Sequence, residues 1–226
     1  MKRIAFIALV FLLGPTLLLA QYRYDGRRVW PSTIGGKQFV EPTRQMWFPA
    51  AADSGSTSGV LNGTAGWVLD TSNPPNVVWS GSAGTGQIQA FGFDADGGST
   101  GDDIAYLTFV CPEDYKTDSM ELYLYWYHLD NDGAATDSVA WDGTVQAVGS
   151  GEDLFAAGTG MTVVYTICSQ SDSALYITNL DPEVETIAAG DLITIKLFCD
   201  ESTSQLDSGE RAYLIGVLVE YEAKEE

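Results

Sequence analysis

Apolar and polar residues alternate with a period of two from about residue 87 to residue 221, and no stretch of the chain carries a sustained helical stripe. A period of two sends successive side chains to opposite faces of a strand, so this pattern restricts the fold more than any other feature. It recurs in eight runs: Gln87–Phe93, Ile104–Cys111, Met120–His128, Val139–Val148, Met161–Cys168, Leu175–Asn179, Leu192–Cys199 and Ala212–Tyr221. Between them stand turn-forming clusters such as Asp94-Ala-Asp-Gly-Gly, Asp130-Asn-Asp-Gly, Asp181-Pro and Gly190-Asp. Glycine supplies positive φ there, while Asp and Asn cap turns or tolerate left-handed backbone. About eight main strands at this spacing predict an all-β, antiparallel β-sandwich of jelly-roll type, with an immunoglobulin-like sandwich as second choice.

Composition divides the chain further. Residues 1–20 read as a secretory signal peptide: Lys2 and Arg3, an apolar run from Ile4 to Leu19 and a cleavage position after Ala20. A retained anchor is the other reading, for which a run broken by Gly14-Pro15 is short. Residues 21–49 form an extended N-terminal arm whose Pro31, Pro42 and Pro49 bar it from a central strand. Residues 50–86 are a Gly/Ser-rich loop carrying two short edge strands, Trp67–Asp70 and Val77–Ser80. Residues 87–226 are the sandwich body, and a chain of this length fits one domain.

Charge is unevenly spread. The whole chain has 31 acidic against 11 basic residues, a net charge of −20. Yet Arg23, Arg27, Arg28, Lys37 and Arg44 of the arm face only Asp25 and Glu41 up to residue 45. From Met46 onward, four basic residues (Lys116, Lys196, Arg211 and Lys224) are set against twenty-nine acidic ones. A body of this sign repels nucleic acid and anionic membranes, so neither is expected as a partner once the signal is cleaved. Cations and basic surfaces are the expected company, in a secreted, extracellular setting.

Two strands have faces that call for a cover. In Met120–His128 one face is the core set Met120, Leu122, Leu124 and Trp126, and the other carries Tyr123, Tyr125 and Tyr127. In Ala212–Tyr221 both faces are largely apolar, whereas a strand with one wet face should alternate. Loops or the arm within one chain, a subunit interface, or stacked sugars would each satisfy such faces.

The chemistry is sparse. His128 is the only histidine, expected at the surface or in an interface, so histidine-rich metal centres are excluded. No G-x-S-x-G, Walker or dinucleotide motif is present, and the chain is expected not to be an enzyme. Asp94, Asp96, Asp102 and Asp103 in one segment, and Asp130 and Asp132 in another with Asp137 beyond, offer the hard oxygens that Ca²⁺ takes. Neither segment has the EF-hand spacing, so a structural calcium stands beside the alternative of solvated turn aspartates. Cys111, Cys168 and Cys199 in an exported chain allow one disulfide and one odd thiol, or three buried small apolar residues.

Five segments in order, Phe91-Gly-Phe-Asp, Ile104-Ala-Tyr-Leu-Thr-Phe-Val-Cys-Pro-Glu-Asp-Tyr, Leu122-Tyr-Leu-Tyr-Trp, Gly190-Asp-Leu-Ile-Thr-Ile-Lys-Leu-Phe-Cys-Asp and Ala212-Tyr-Leu-Ile-Gly-Val-Leu-Val-Glu-Tyr, resemble bacteriophage virion-associated jelly-roll proteins over about residues 88–221. The resemblance implies a non-enzymatic structural subunit, often trimeric. The signal-like start and the basic arm lie outside the match. The expectation is therefore an exported, self-assembling subunit of a fibre, filament, tube or virion-like assembly. Its arm docks on the acidic sandwich of a neighbouring copy, with Arg23, Arg27 and Arg28 as electrostatic guides and Trp30, Phe39, Trp47 and Phe48 as apolar anchors. The alternative is a secreted carbohydrate-binding β-sandwich that takes glycans on Tyr123, Tyr125 and Tyr127.

Overall fold

A computed structural model describes residues 32–34, 37–39, 43–51, 66–80, 88–95, 102–129, 137–168, 174–182, 184–200, 202–206 and 210–224. The signal segment, Arg23, Arg27, Arg28, Trp30, Asp96, Asp130 and Asp132 lie outside these residues. The strands in chain order are β1 (Ser32–Ile34), β2 (Lys37–Phe39), β3 (Thr43–Pro49), β4 (Trp67–Leu69), β5 (Asn76–Ser80), β6 (Ile88–Asp94), β7 (Ile104–Val110), β8 (Glu121–His128), β9 (Ser138–Val148), β10 (Thr159–Gly160), β11 (Val164–Ile167), β12 (Tyr176–Leu180), β13 (Leu192–Cys199) and β14 (Arg211–Glu222). All eight runs predicted from alternation are strands, and the two short edge strands of the 50–86 segment are β4 and β5.

Every pairing is antiparallel, and the order is that of a jelly roll. One sheet runs β12-β8-β14-β6 and the other β11-β9-β13-β7. Counting the eight main strands along the chain, these are the sixth, third, eighth and first against the fifth, fourth, seventh and second. That wrapping is two Greek keys closed over one core. Additional strands extend the edges: β4 lies beside β7, β5 beside β6 and β10 beside β9. β1 and β2 form a separate hairpin.

β3 takes a place the sequence reading gave to another molecule. β6 covers β14 only from Arg211 to Leu214, and β3 pairs with the rest of that edge, from Gly216 to Glu222. The register shifts between Leu214 and Gly216, and the Ile215 carbonyl accepts the Ala50 amide at 2.8 Å. The bulge is thus where β14 passes from one edge partner to the next. Pro49 ends β3 opposite Gly216, which suits an edge strand that lacks one amide donor. From its sequence the arm is expected to dock on a neighbouring copy, whereas its strand β3 pairs within one chain. Arg44 of β3 pairs with Asp114 of the same body at 2.8 Å, so this basic residue of the arm finds its complement in cis.

The core lies between the sheets. Trp141 meets Phe93 at 5.2 Å and Trp126 at 5.8 Å, and Trp67 meets Phe91 at 5.4 Å, all edge to face. Phe48 reaches inward from β3 to Phe109 across the sandwich, 5.3 Å between ring centres. Trp126 Nε1 donates to Thr178 Oγ1 at 2.9 Å, giving a buried indole its partner.

One expectation is corrected here. His128 is fully buried, not superficial, with Nε2 3.9 Å from Asp137 Oδ2, because its alternation phase points it inward with Trp126. Of the two alternatives left open for the cysteines, the structure has the second, three buried thiols with no disulfide among them. Cys111 follows Val110, which pairs with Leu192 at one end of β13, while Cys199 closes the other end. Seven residues of strand, roughly 23 Å, separate those positions, far beyond disulfide reach.

Candidate functional site

The outer face of the β12-β8-β14-β3 sheet is organised in rows set by register. One row across the strands holds Gln45, Glu220 and Glu121; the next holds Trp47, Leu218, Tyr123 and Asn179; the third holds Pro49, Gly216, Tyr125 and Ile177. A polar row therefore borders two apolar and aromatic ones. In the polar row Gln45 Nε2 donates to Glu220 Oε2 at 2.6 Å, and the Tyr123 hydroxyl donates to the Glu121 carboxylate from the row above.

Trp47 dominates this face. Its six-membered ring lies over Gly216, the one position on β14 where no side chain stands in the way, and reaches Tyr125 at 5.3 Å with the rings at 88°. Two aromatic planes thus meet in an open corner, and Trp47 remains 46% exposed. Ile177, 53% exposed, and Leu175 continue the apolar surface on the β12 side. Tyr127 is different: it is buried in a stack with Tyr213, at 5.0 Å and 16°. Of the three tyrosines read from the sequence, Tyr123 and Tyr125 face the open surface and Tyr127 packs.

At the end of these rows a hollow of about 520 Å³ is lined by Asp118, Ser119, Met120, Glu121, Asn179, Asp181 and Glu222. Lys116 holds Glu222 at 2.6 Å on its flank. Asp118 takes φ of 60°, a left-handed conformation that Asp tolerates in a turn. The face and the hollow share Glu121 and Asn179, so polar groups and aromatic rings are continuous.

Two of the carboxylates singled out for calcium, Asp94 and Asp103, share a cation. Arg211 bridges Asp103 at 2.8 Å and Asp94 at 3.2 Å, and Asp103 Oδ2 also accepts the Asp94 amide at 2.8 Å. Burial raises the Asp103 pKa above the ordinary carboxylate range, against the pull of that amide and of Arg211. Asp142 is likewise raised by burial, with the charges of Asp200 and Asp102 adding to it. Among the described residues no group of three or more His, Cys, Asp or Glu side chains is arranged to hold a metal ion.

Sequence reasoning named Trp47 as an anchor of the arm and Tyr125 as part of a face in need of a cover; the structure brings the two into contact within one chain. It missed Gly216, Leu218, Gln45, Glu220 and Asn179. Two signals pointed to them: the alternation of Gln45 and Trp47 in β3, and a lone glycine inside the apolar final strand.

No protein-family profile matches this chain, and no curated protein matches it. Solved structures with a similar fold include the arabinose-bound MgGH51 α-L-arabinofuranosidase (13% identity, TM-score 0.43, 69% of this chain but 23% of that one). A family 35 carbohydrate-binding module from an environmental isolate is another (13%, TM-score 0.38, 80% of this chain and 99% of that one). A third is the K1 cleaved adhesin domain of Lys-gingipain from Porphyromonas gingivalis W83 (13%, TM-score 0.34, 78% and 96%). At such identities and TM-scores these likenesses carry no argument about ligand or activity.

Proposed function

We propose that this chain is an exported, non-catalytic carbohydrate-binding β-sandwich whose site is the outer face of β3, β14, β8 and β12. The open corner between Trp47 and Tyr125 carries the reading. A pyranose presents an apolar C–H face and a rim of hydroxyls; an exposed indole accepts the first, and neighbouring carboxylates and amides accept the second. Glu121, Glu220, Gln45 and Asn179 supply that polar row beside the aromatic ones. The net charge of −20 disfavours uronate or sialylated chains, so neutral glycans are the expected ligands.

A glycan array followed by calorimetry tests this. Trp47→Ala and Tyr125→Ala each weaken binding by about tenfold or more, in line with the loss of an aromatic contact of roughly 1–1.5 kcal/mol plus its buried area. Phe155→Ala, on an exposed loop remote from the face, leaves binding unchanged. If no neutral glycan binds, or Trp47→Ala binds as well as the parent, the site is not a carbohydrate site.

A further inference from the structure

We propose that two copies of this chain join edge to edge through β12, pairing antiparallel about a two-fold axis near Thr178. β12 pairs with β8 on one side, and among the described residues no strand pairs with the other. Free edges are ordinarily blunted by charge, proline, bulges or brevity. The run Ala174-Leu-Tyr-Ile-Thr-Asn-Leu180 has no charge, proline or glycine until Asp181-Pro182 closes it. The other edges are better guarded: β4 has three residues, β10 two and β11 four, β5 is entered through Pro74-Pro75, and β3 carries the charge of Arg44 and ends at Pro49.

Apolar surface flanks the same edge on both sheets. Leu175 is 58% exposed beside Ile177. On β11, Tyr165 is 59% and Ile167 74% exposed. The two edge strands are tied by Thr166 Oγ1 and Thr178 Oγ1 at 2.9 Å, so they present one rigid margin.

Charge selects the occupant. Two bodies as acidic as this one repel over most of their surface, and strands β11 and β12 themselves carry no charged residue, the nearest in sequence being Asp172 in the segment between them and Asp181 after β12, so they can approach there. An antiparallel strand pair is self-complementary, so a second copy satisfies the edge and closes the assembly as a dimer. The axis stands perpendicular to the sheet, which keeps both outer faces on the same side. Two Trp47–Tyr125 corners then face one way, a bivalent arrangement if they bind glycan. The dimer itself does not depend on that reading.

Sedimentation velocity of the full chain, from low micromolar to about 100 µM, tests the proposal. A monomer–dimer equilibrium is expected, tightening as salt is raised from low to physiological. Ile177→Lys places a charge on the edge and weakens the dimer tenfold or more; Leu175→Lys does the same from outside the strand, should the first variant fold poorly. Trp79→Lys on β5, at the opposite edge, leaves the dimer intact. Amide exchange in Tyr176–Leu180 slows as concentration rises. A chain monomeric at every concentration, a dimer indifferent to both β12 substitutions, or one abolished by Trp79→Lys overturns the assignment.

Discussion

A methyl group at Gly216 would stand 2.6 Å from Cη2 and Cζ2 of Trp47 and 2.7 Å from the Phe48 carbonyl oxygen. An alanine inside a strand ordinarily stabilises by about 0.5–1 kcal/mol relative to glycine. Here the sign reverses, because the neighbour includes backbone that cannot swing away. Gly216→Ala is expected to destabilise by about 1–3 kcal/mol in urea titration and to displace Trp47 from Tyr125, visible as a shift in indole fluorescence. Arg211 poses the opposite question, being a cation between two carboxylates. Removing it takes away an attraction that opposes the burial-raised pKa of Asp103, so that pKa rises further. A carboxyl with a raised folded-state pKa binds more protons folded than unfolded, so stability falls as pH climbs from the unfolded value through the folded one. Arg211→Gln should thus lose roughly 1–3 kcal/mol near neutral pH and converge on the parent in acid, below the ordinary aspartate range. A loss independent of pH, followed by thermal melts across that window, would show that the ion pairs do not set it.

At the scale of elements, β11 and β12 show how the sandwich is closed. Thr178 faces inward, accepts from the buried Trp126 indole and meets Thr166 of the other sheet. Thr178→Val keeps the shape and leaves a buried N–H without its acceptor, a cost of about 1–3 kcal/mol. Thr166→Val leaves the Trp126 bond in place and should cost less; a double-mutant cycle in denaturant measures the coupling. The eight main strands were legible because each buries one face, which writes alternation into the sequence. β3 was legible only as an extended segment. Its Arg44, Gln45 and Trp47 are exposed, its inward Met46 and Phe48 are only part-buried, and edge position weakens the very pattern by which a strand is read.

For the molecule as a whole, the charge asymmetry persists in the fold as an acidic body with a strand from the basic arm attached to it. Self-repulsion of such a body is relieved by screening, so the melting temperature of dilute, monomeric protein should rise by a few degrees from about 10 to 200 mM NaCl. A flat or falling dependence, measured by scanning calorimetry, would mean that cis pairs such as Arg44–Asp114 and Lys116–Glu222 outweigh the repulsion.

The jelly roll was determined by the sequence itself, since period-two alternation broken at glycine and aspartate turns leaves few ways to bury eight half-apolar strands. The candidate site was decided only by tertiary structure. Trp47 crosses a glycine in the last strand to meet a tyrosine in the middle of the chain. Periodicity specifies which face a side chain takes, but register between distant strands selects its neighbours, and that register is set by the packing of the whole core.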